Sequence, residues 1–226
     1  MKTQSLFAIL ALSATIVACG NGAPEETVET NEAQEVSQKA ETSVDYALAS
    51  DANTIRWVGF KTFTDSRHTG TIQVKEGNFH VENGELVGGT FVIDMNSIAN
   101  EDVPVEGEYN RARLEGHLKS EDFFHVEAHP TATFEITNVE VAPNEEKGTT
   151  HAISGNLTLR GETKNITFPA SVNLEGDQLV LNAPEFAIDR TNWKVQALST
   201  SIEGLAKENL VDNNILLHME LRGSKQ

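Results

Sequence analysis

The sequence predicts an all-β domain, an antiparallel sandwich or closed barrel of about eight strands. Three observations carry that expectation: apolar residues recur with a period of two, turn signals separate the alternating segments, and eight such segments lie between residues 54 and 222. Successive strand side chains point to opposite faces, so a period of two gives each segment one apolar and one polar side. That is the pattern of antiparallel sheet wetted on one face.

The segments fall near 54–61, 69–82 with a bend at Gly77, 85–95, 131–141, 150–160, 164–174, 178–189 and 213–222. Ile166, Phe168, Ala170, Val172 and Leu174 alternate with polar neighbours or proline, and Ile215, Leu217, Met219 and Leu221 share a face. Asn83-Gly84 is a strong two-residue hairpin signal. Gly88-Gly89, 145–148, Arg160-Gly161 and 175–177 are further breaks. Closing the sheet into a barrel would remove the exposed edges that a sandwich must protect. Two stretches leave the pattern. Residues 109–126 carry Leu114 and Leu118 at helical spacing, with Ser120 expected as an N-cap before Glu121 and Asp122. Residues 199–209 are expected to form a second short helix.

Ahead of the domain, residues 1–18 have the dimensions of a signal peptide. Lys2 precedes an apolar run from Leu6 to Val17, too short for a comfortable membrane span of ~20 residues. The run ends in Ile16-Val17-Ala18-Cys19, which resembles the bacterial lipobox, and Cys19 is the only cysteine. We therefore expect cleavage before Cys19 and lipid attachment to it. More than one acyl chain is what stable anchoring requires. Gly20, rather than aspartate, follows Cys19, so an outer-membrane destination is expected, facing the periplasm or the cell surface. Residues 19–50 are expected to be a lipidated, acidic, disordered tether, since residues 20–50 hold seven acidic residues against Lys39 alone. As coil they would span roughly 30 Å. The barrel domain then occupies 51–226.

The net charge of −17 excludes a nucleic-acid partner, whose binding rests on cationic contacts to phosphates. No Gly-x-Ser-x-Gly, His-Glu-x-x-His, Cys-x-x-Cys or phosphate-loop motif occurs, and no enzyme activity is expected.

Longer motifs narrow the fold. Gly116-His117-Leu118-Lys119-Ser120, Asp122-Phe123-Phe124 and His129-Pro130-Thr131-Ala132-Thr133-Phe134 resemble the signature of the YceI-like family. So do Gly155 to Gly161 with Thr163-Lys164, and Asp189-Arg190. Trp57, Lys61, His68, Gly70, Gly77, Gly84, Phe91 and Ile93-Asp94-Met95 fit it in order. The resemblance implies a lipocalin-like antiparallel barrel whose apolar pore holds an isoprenoid lipid or quinone tail as its ligand, with no cofactor. Two stretches depart from the family's pattern: the acidic spacer between Ile98 and Leu114, and 196–212, which lacks a glycine-rich form.

The expected pore-lining residues are Trp57, Phe60, Phe91, Ile93, Phe134, Ile136, Phe168, Phe186, Ile188, Trp193 and Val195. By themselves such strand faces read as a solid core, since apolar strand faces are core by default, and it is the resemblance that favours a pore. A filled barrel serving as a structural or protein-interaction module is therefore the alternative, because eight strands can enclose either side chains or one small ligand. Arg190 is the candidate for a ligand head group, or for closing the barrel end by pairing with a carboxylate such as Asp189. His125, Glu127 and His129 would alternate on one strand face without an obvious third ligand, so no metal site is expected. His117 and His68 read as structural. The oligomeric state is left open.

Overall fold

The computed structural model describes residues 22–24, 26–36, 41–48 and 53–226. The expected signal peptide and Cys19 lie outside them. Ten strands are described: β1 (Thr30–Glu32), β2 (Val44–Leu48), β3 (Thr54–Lys61), β4 (Arg67–Glu82), β5 (Glu85–Asn100), β6 (Thr131–Asn144), β7 (Thr149–Leu159), β8 (Glu162–Glu175), β9 (Gln178–Asp189) and β10 (Val211–Lys225). Strands β3 to β10 pair in chain order, all antiparallel, and β10 returns to β3 to close an eight-stranded barrel. Asn83 and Gly84 both take positive φ at the β4–β5 turn, as the hairpin signal requires. Near Gly77 the β4–β5 register slips between Val74 and Glu76, which accounts for the expected bend.

Apolar faces point inward. Phe79, Ile153, Leu179 and Ala183 are completely buried. Several inner positions set an aromatic ring over a glycine: a Cβ on Gly70 would lie 2.5 Å from Trp57, and one on Gly155 only 2.2 Å from Phe134. Those glycines leave the barrel wall thin where the large rings lie.

One α-helix is present, α1 (Arg111–Lys119). Its N-cap is Asn110, whose side chain accepts from the Arg113 N–H at 3.0 Å. Ser120 is the C-cap, not an N-cap: its hydroxyl donates to the His117 carbonyl at 2.7 Å. Residues 121–124 and 126–128 form turns, with His125 between them at positive φ. His125, Glu127 and His129 therefore do not share a strand face. The expected second helix is absent too: within 199–209 only Lys207–Asn209 is helical, as a single 3-10 turn. Ile202 and Leu205 stay exposed, so that segment has no buried face to hold a helix in place.

The acidic N-terminal segment differs from a disordered tether over the stretches described. Strand β1 pairs with the first part of β8, while β9 pairs only with the last part. The Val28 N–H meanwhile donates to Ala187 of β9 at 2.8 Å. Residues 28–32 thus fill a split in the barrel wall. Asn156 adds a two-point bracket, accepting from the Gln34 N–H at 3.0 Å and donating to the Gln34 carbonyl at 2.7 Å. Strand β2 lies between β4 and β10 and buries Tyr46. Backbone pairing, rather than side-chain hydrophobicity, makes the polar β1 a strand, so hydropathy alone did not reveal it, whereas β2 also adds Tyr46 and Leu48 to the core.

Candidate functional site

The long connections, 101–130 and 190–210, gather at one barrel end with the β3–β4 and β7–β8 turns. The opposite end has short hairpins at 83–84, 145–148 and 176–177. A cavity of 430 Å³ lies under the long connections, within the ~300–1,000 Å³ usual for small-molecule sites. Ile72, Ile93, Met95, Ile98, Ala132, Leu159 and Ile188 line it from the strands, and Leu118, Phe123 and Phe124 cover it. A narrower apolar space of 50 Å³ continues inward. Ile55, Ile93, Leu157 and Leu217 border both spaces.

The expected lining residues divide between the two. Trp57, Phe60, Ile93 and Ile188 border the larger cavity. Phe91, Phe134, Ile136 and Phe168 border the narrow one, as does Phe186. Within the inner region Phe79, Phe91, Phe134, Phe168 and Phe186 form a chain of ring contacts, with centroids 4.6–6.4 Å apart. The inner half of the barrel is thus packed and the outer half hollow. Trp193 and Val195 border neither space: Trp193 is fully buried in the turn after β9, where its indole N–H donates to Leu157 at 2.9 Å. An apolar residue in a connecting turn looks the same in sequence as one on an inner strand face.

Arg190 borders the cavity but is engaged by the main chain. Its guanidinium donates to the carbonyls of Val195 at 2.6 Å, Asp212 at 3.0 Å and Val211 at 3.2 Å. It also lies over the Phe123 ring, 5.4 Å from the centroid. Asp189, the expected partner, instead accepts from the Thr191 N–H and hydroxyl. Burial lowers the Arg190 pKa to about 10, with Asp189 and Asp212 opposing, so it remains a cation at neutral pH. Arg190 is thus a clasp between the 190–195 turn and β10.

Sequence reasoning missed the polar group at the mouth. Asp102 lies in the acidic spacer. It accepts from His68 Nδ1 at 2.9 Å, the Thr69 N–H at 2.6 Å and the Asn100 amide at 2.7 Å. Partial burial works against its charge, but the Thr69 N–H, His68 and Asn100 outweigh that and hold the carboxyl below its ordinary value. His68 Nε2 meets the Tyr109 hydroxyl at 3.3 Å. Burial, and next the Asp102 charge, raise the Tyr109 pKa against the pull of Arg113, which keeps the phenol protonated. A carboxylate on Nδ1 leaves Nε2 as the acceptor in neutral imidazole. His68 and Tyr109 both border the cavity. The only trace in the sequence was the spacer's acidity.

His117 meets Phe123 edge-on at 4.9 Å and borders the cavity. His125 and His129 lie 5.7 Å apart, ring to ring. Among the described residues, no three His, Cys, Asp or Glu side chains are grouped to hold a metal ion.

A closed antiparallel barrel around an apolar cavity, open under long loops at one end, defines a lipocalin-like class of protein. Within that class the chain belongs to the YceI-like domain family, whose model matches residues 37–222. Among curated relatives, a UPF0312 protein of Pseudomonas aeruginosa is 37% identical over 94 residues, covering 39% of this chain and 47% of that protein. Protein YceI of Salmonella arizonae is 35% identical over 94 residues, with the same coverages. The matched stretch thus spans about half the length of these relatives. Among solved structures, a polyisoprenoid binding domain from Saccharophagus degradans, implicated in plant cell wall breakdown, superimposes with a TM-score of 0.56 at 16% identity, covering 81% of this chain and 99% of that one. Burkholderia cenocepacia BcnA does so with a TM-score of 0.53 at 15% identity, covering 77% and 98%. At these identities the likeness establishes the fold.

Proposed function

We propose that this chain is a lipoprotein of a diderm bacterial envelope that binds an isoprenoid-type lipid, tail inward, in the outer half of the barrel. The observation that carries this reading is the 430 Å³ apolar cavity continued by a narrower apolar space. Burying a hydrocarbon tail there contributes ~0.8 kcal/mol per methylene before ordering costs. The polyisoprenoid-binding description of the Saccharophagus degradans domain with the same fold agrees with that chemistry. The head belongs at the mouth beside His68 and Tyr109, which present an imidazole nitrogen and a phenol, rather than on Arg190.

The filled-barrel alternative draws on one observation, the chain of phenylalanines. That packing accounts for the inner half and leaves the outer cavity unexplained.

Native mass spectrometry of gently purified protein tests the reading: a bound isoprenoid mass is expected. Protein that is always empty, and that when lipid-free also fails to bind a fluorescent farnesyl probe, would refute it. The position of the head is tested by His68→Ala and Tyr109→Phe. Both should weaken binding of a long-chain isoprenol and leave binding of an isoprenoid hydrocarbon unchanged. Gly20 supports an outer-membrane destination; fractionation that finds the lipidated chain only in the inner membrane overturns it.

A further inference from the structure

We infer that the open end of the barrel docks on the bilayer, held there by an N-terminal strap formed by Pro24 and residues 26–34, so that lipid enters the cavity directly from the membrane. The inference rests on the lipoprotein reading above and adds an orientation to it.

The first observation is where the chain leaves the barrel. The Pro24 carbonyl accepts from the Asn214 side chain at 2.7 Å. Asn214 pairs with Asp189 and precedes Ile215, which borders the cavity, as does Val211 at the start of β10. Pro24 is five residues from Cys19, a reach of about 17 Å at full extension. The far end of β10, at Lys225, is eleven residues beyond Asn214. That is roughly 36 Å along the strand, or about 27 Å along the axis of a barrel with the usual strand tilt. An anchor on Cys19 therefore cannot bring the closed end to the membrane while the strap is seated. The strap lies upstream of the family match, which begins at residue 37.

The second observation is independent of the strap. Among the described residues, nine large apolar side chains are exposed, and five of them occupy the three connections around the mouth: Phe63, Val105, Tyr109, Ile202 and Leu205. Val105 is 70% exposed and Phe63 55%. Two of the connections touch, since Lys207 lies over the Phe63 ring, and Lys61 at the end of β3 donates to the Glu208 carbonyl at 3.1 Å. Tyr109 borders the apolar cavity and the other four lie exposed on the connections at that end, an arrangement that suits the boundary between headgroups and acyl chains. The chain's strong negative charge sets the partner as a zwitterionic surface, because anionic headgroups would repel it.

The test uses full-length lipidated protein in phosphatidylethanolamine–phosphatidylcholine vesicles with brominated acyl chains. Single cysteines replace Val105, Ile202 or Val141, the last an exposed β6 residue toward the opposite end. Cys19 is the only native cysteine and is blocked when lipidated, so a fluorophore reports one site. Strong bromine quenching is expected at 105 and 202, and little at 141. Breaking the strap with Asn156→Ala and Asn214→Ala together should erase that contrast while the chain stays on the vesicles. Equal quenching at all three sites, or quenching at 141 alone, overturns the orientation. Mass spectrometry of the mature N-terminus separates the two claims. An unlipidated Cys19 refutes the lipoprotein reading and the orientation with it, whereas a lipidated chain with an unquenched rim refutes the orientation alone.

Discussion

Two neighbouring strand positions separate the packed half of the barrel from the hollow half. Phe134 is in ring contact with Phe91 and Phe168, and its ring lies directly over Gly155. Phe134→Trp should strain that packing, at ~1–3 kcal/mol in lipid-free protein by thermal unfolding. Two residues away, Ala132 borders the 430 Å³ cavity. Ala132→Leu should grow into open space, with little loss of stability and a clear loss of bound lipid. Equal stability losses in the two variants would contradict the division. Arg190 supplies a third residue-scale prediction. Arg190→Met leaves the carbonyls of Val195, Val211 and Asp212 without their donor and should cost ~3–5 kcal/mol. Arg190→Lys should not restore the loss, because a point ammonium cannot satisfy three separated carbonyls as a planar fork does.

At the scale of elements, two polar segments complete the barrel, one at its mouth and one in its wall. The 101–110 connection hangs on Asp102. Its carboxyl is depressed in the folded state, so its contribution is present above the ordinary carboxyl value and is lost as pH falls through the lowered one. The connection should therefore loosen in the acid range below ordinary carboxyl titration and stay fixed near neutrality. Hydrogen exchange of the Thr69 and Val103 amides would follow it, and Asp102→Asn should show the loosened behaviour already at neutral pH. The strap hangs on Asn156. Asn156→Ala removes both bonds to Gln34 and the one from Asn165, at an expected ~1–3 kcal/mol by chemical denaturation. An unchanged midpoint would mean that the strap adds nothing to the wall.

For the whole molecule, the hollow half makes stability depend on ligand. A lipid that occupies the folded state alone stabilises it by mass action, by ~2.7 kcal/mol at a hundred times its Kd. Stripping lipid should lower the melting temperature, and adding isoprenoid back should restore it. A filled barrel would melt at the same temperature either way.

The order of β3 to β10, their inner faces and the Asn83-Gly84 turn were legible because alternation and turn chemistry are local properties of the chain. So was the apolar character of Phe91, Phe134 and Phe168, although not whether they would line space or fill it. That was decided by closure, which brings side chains from distant strands to shared depths and leaves the outer ring of positions unfilled. Trp193 was misassigned for the same reason, being apolar without facing the cavity. Of the two roles read for Arg190, the structural one is met through main-chain carbonyls rather than through a carboxylate such as Asp189. The strap and the His68–Asp102–Tyr109 group are tertiary facts of another kind. Strand β1 is polar and three residues long, and it exists because β8 and β9 part and leave backbone groups to satisfy. The mouth group joins residues up to 41 positions apart through single hydrogen bonds, which leave no periodic trace. What the sequence determined by itself was therefore the strand order and the apolar inner face. Only the tertiary structure decided which part of that interior is open and what surrounds its mouth, because both depend on how distant segments meet.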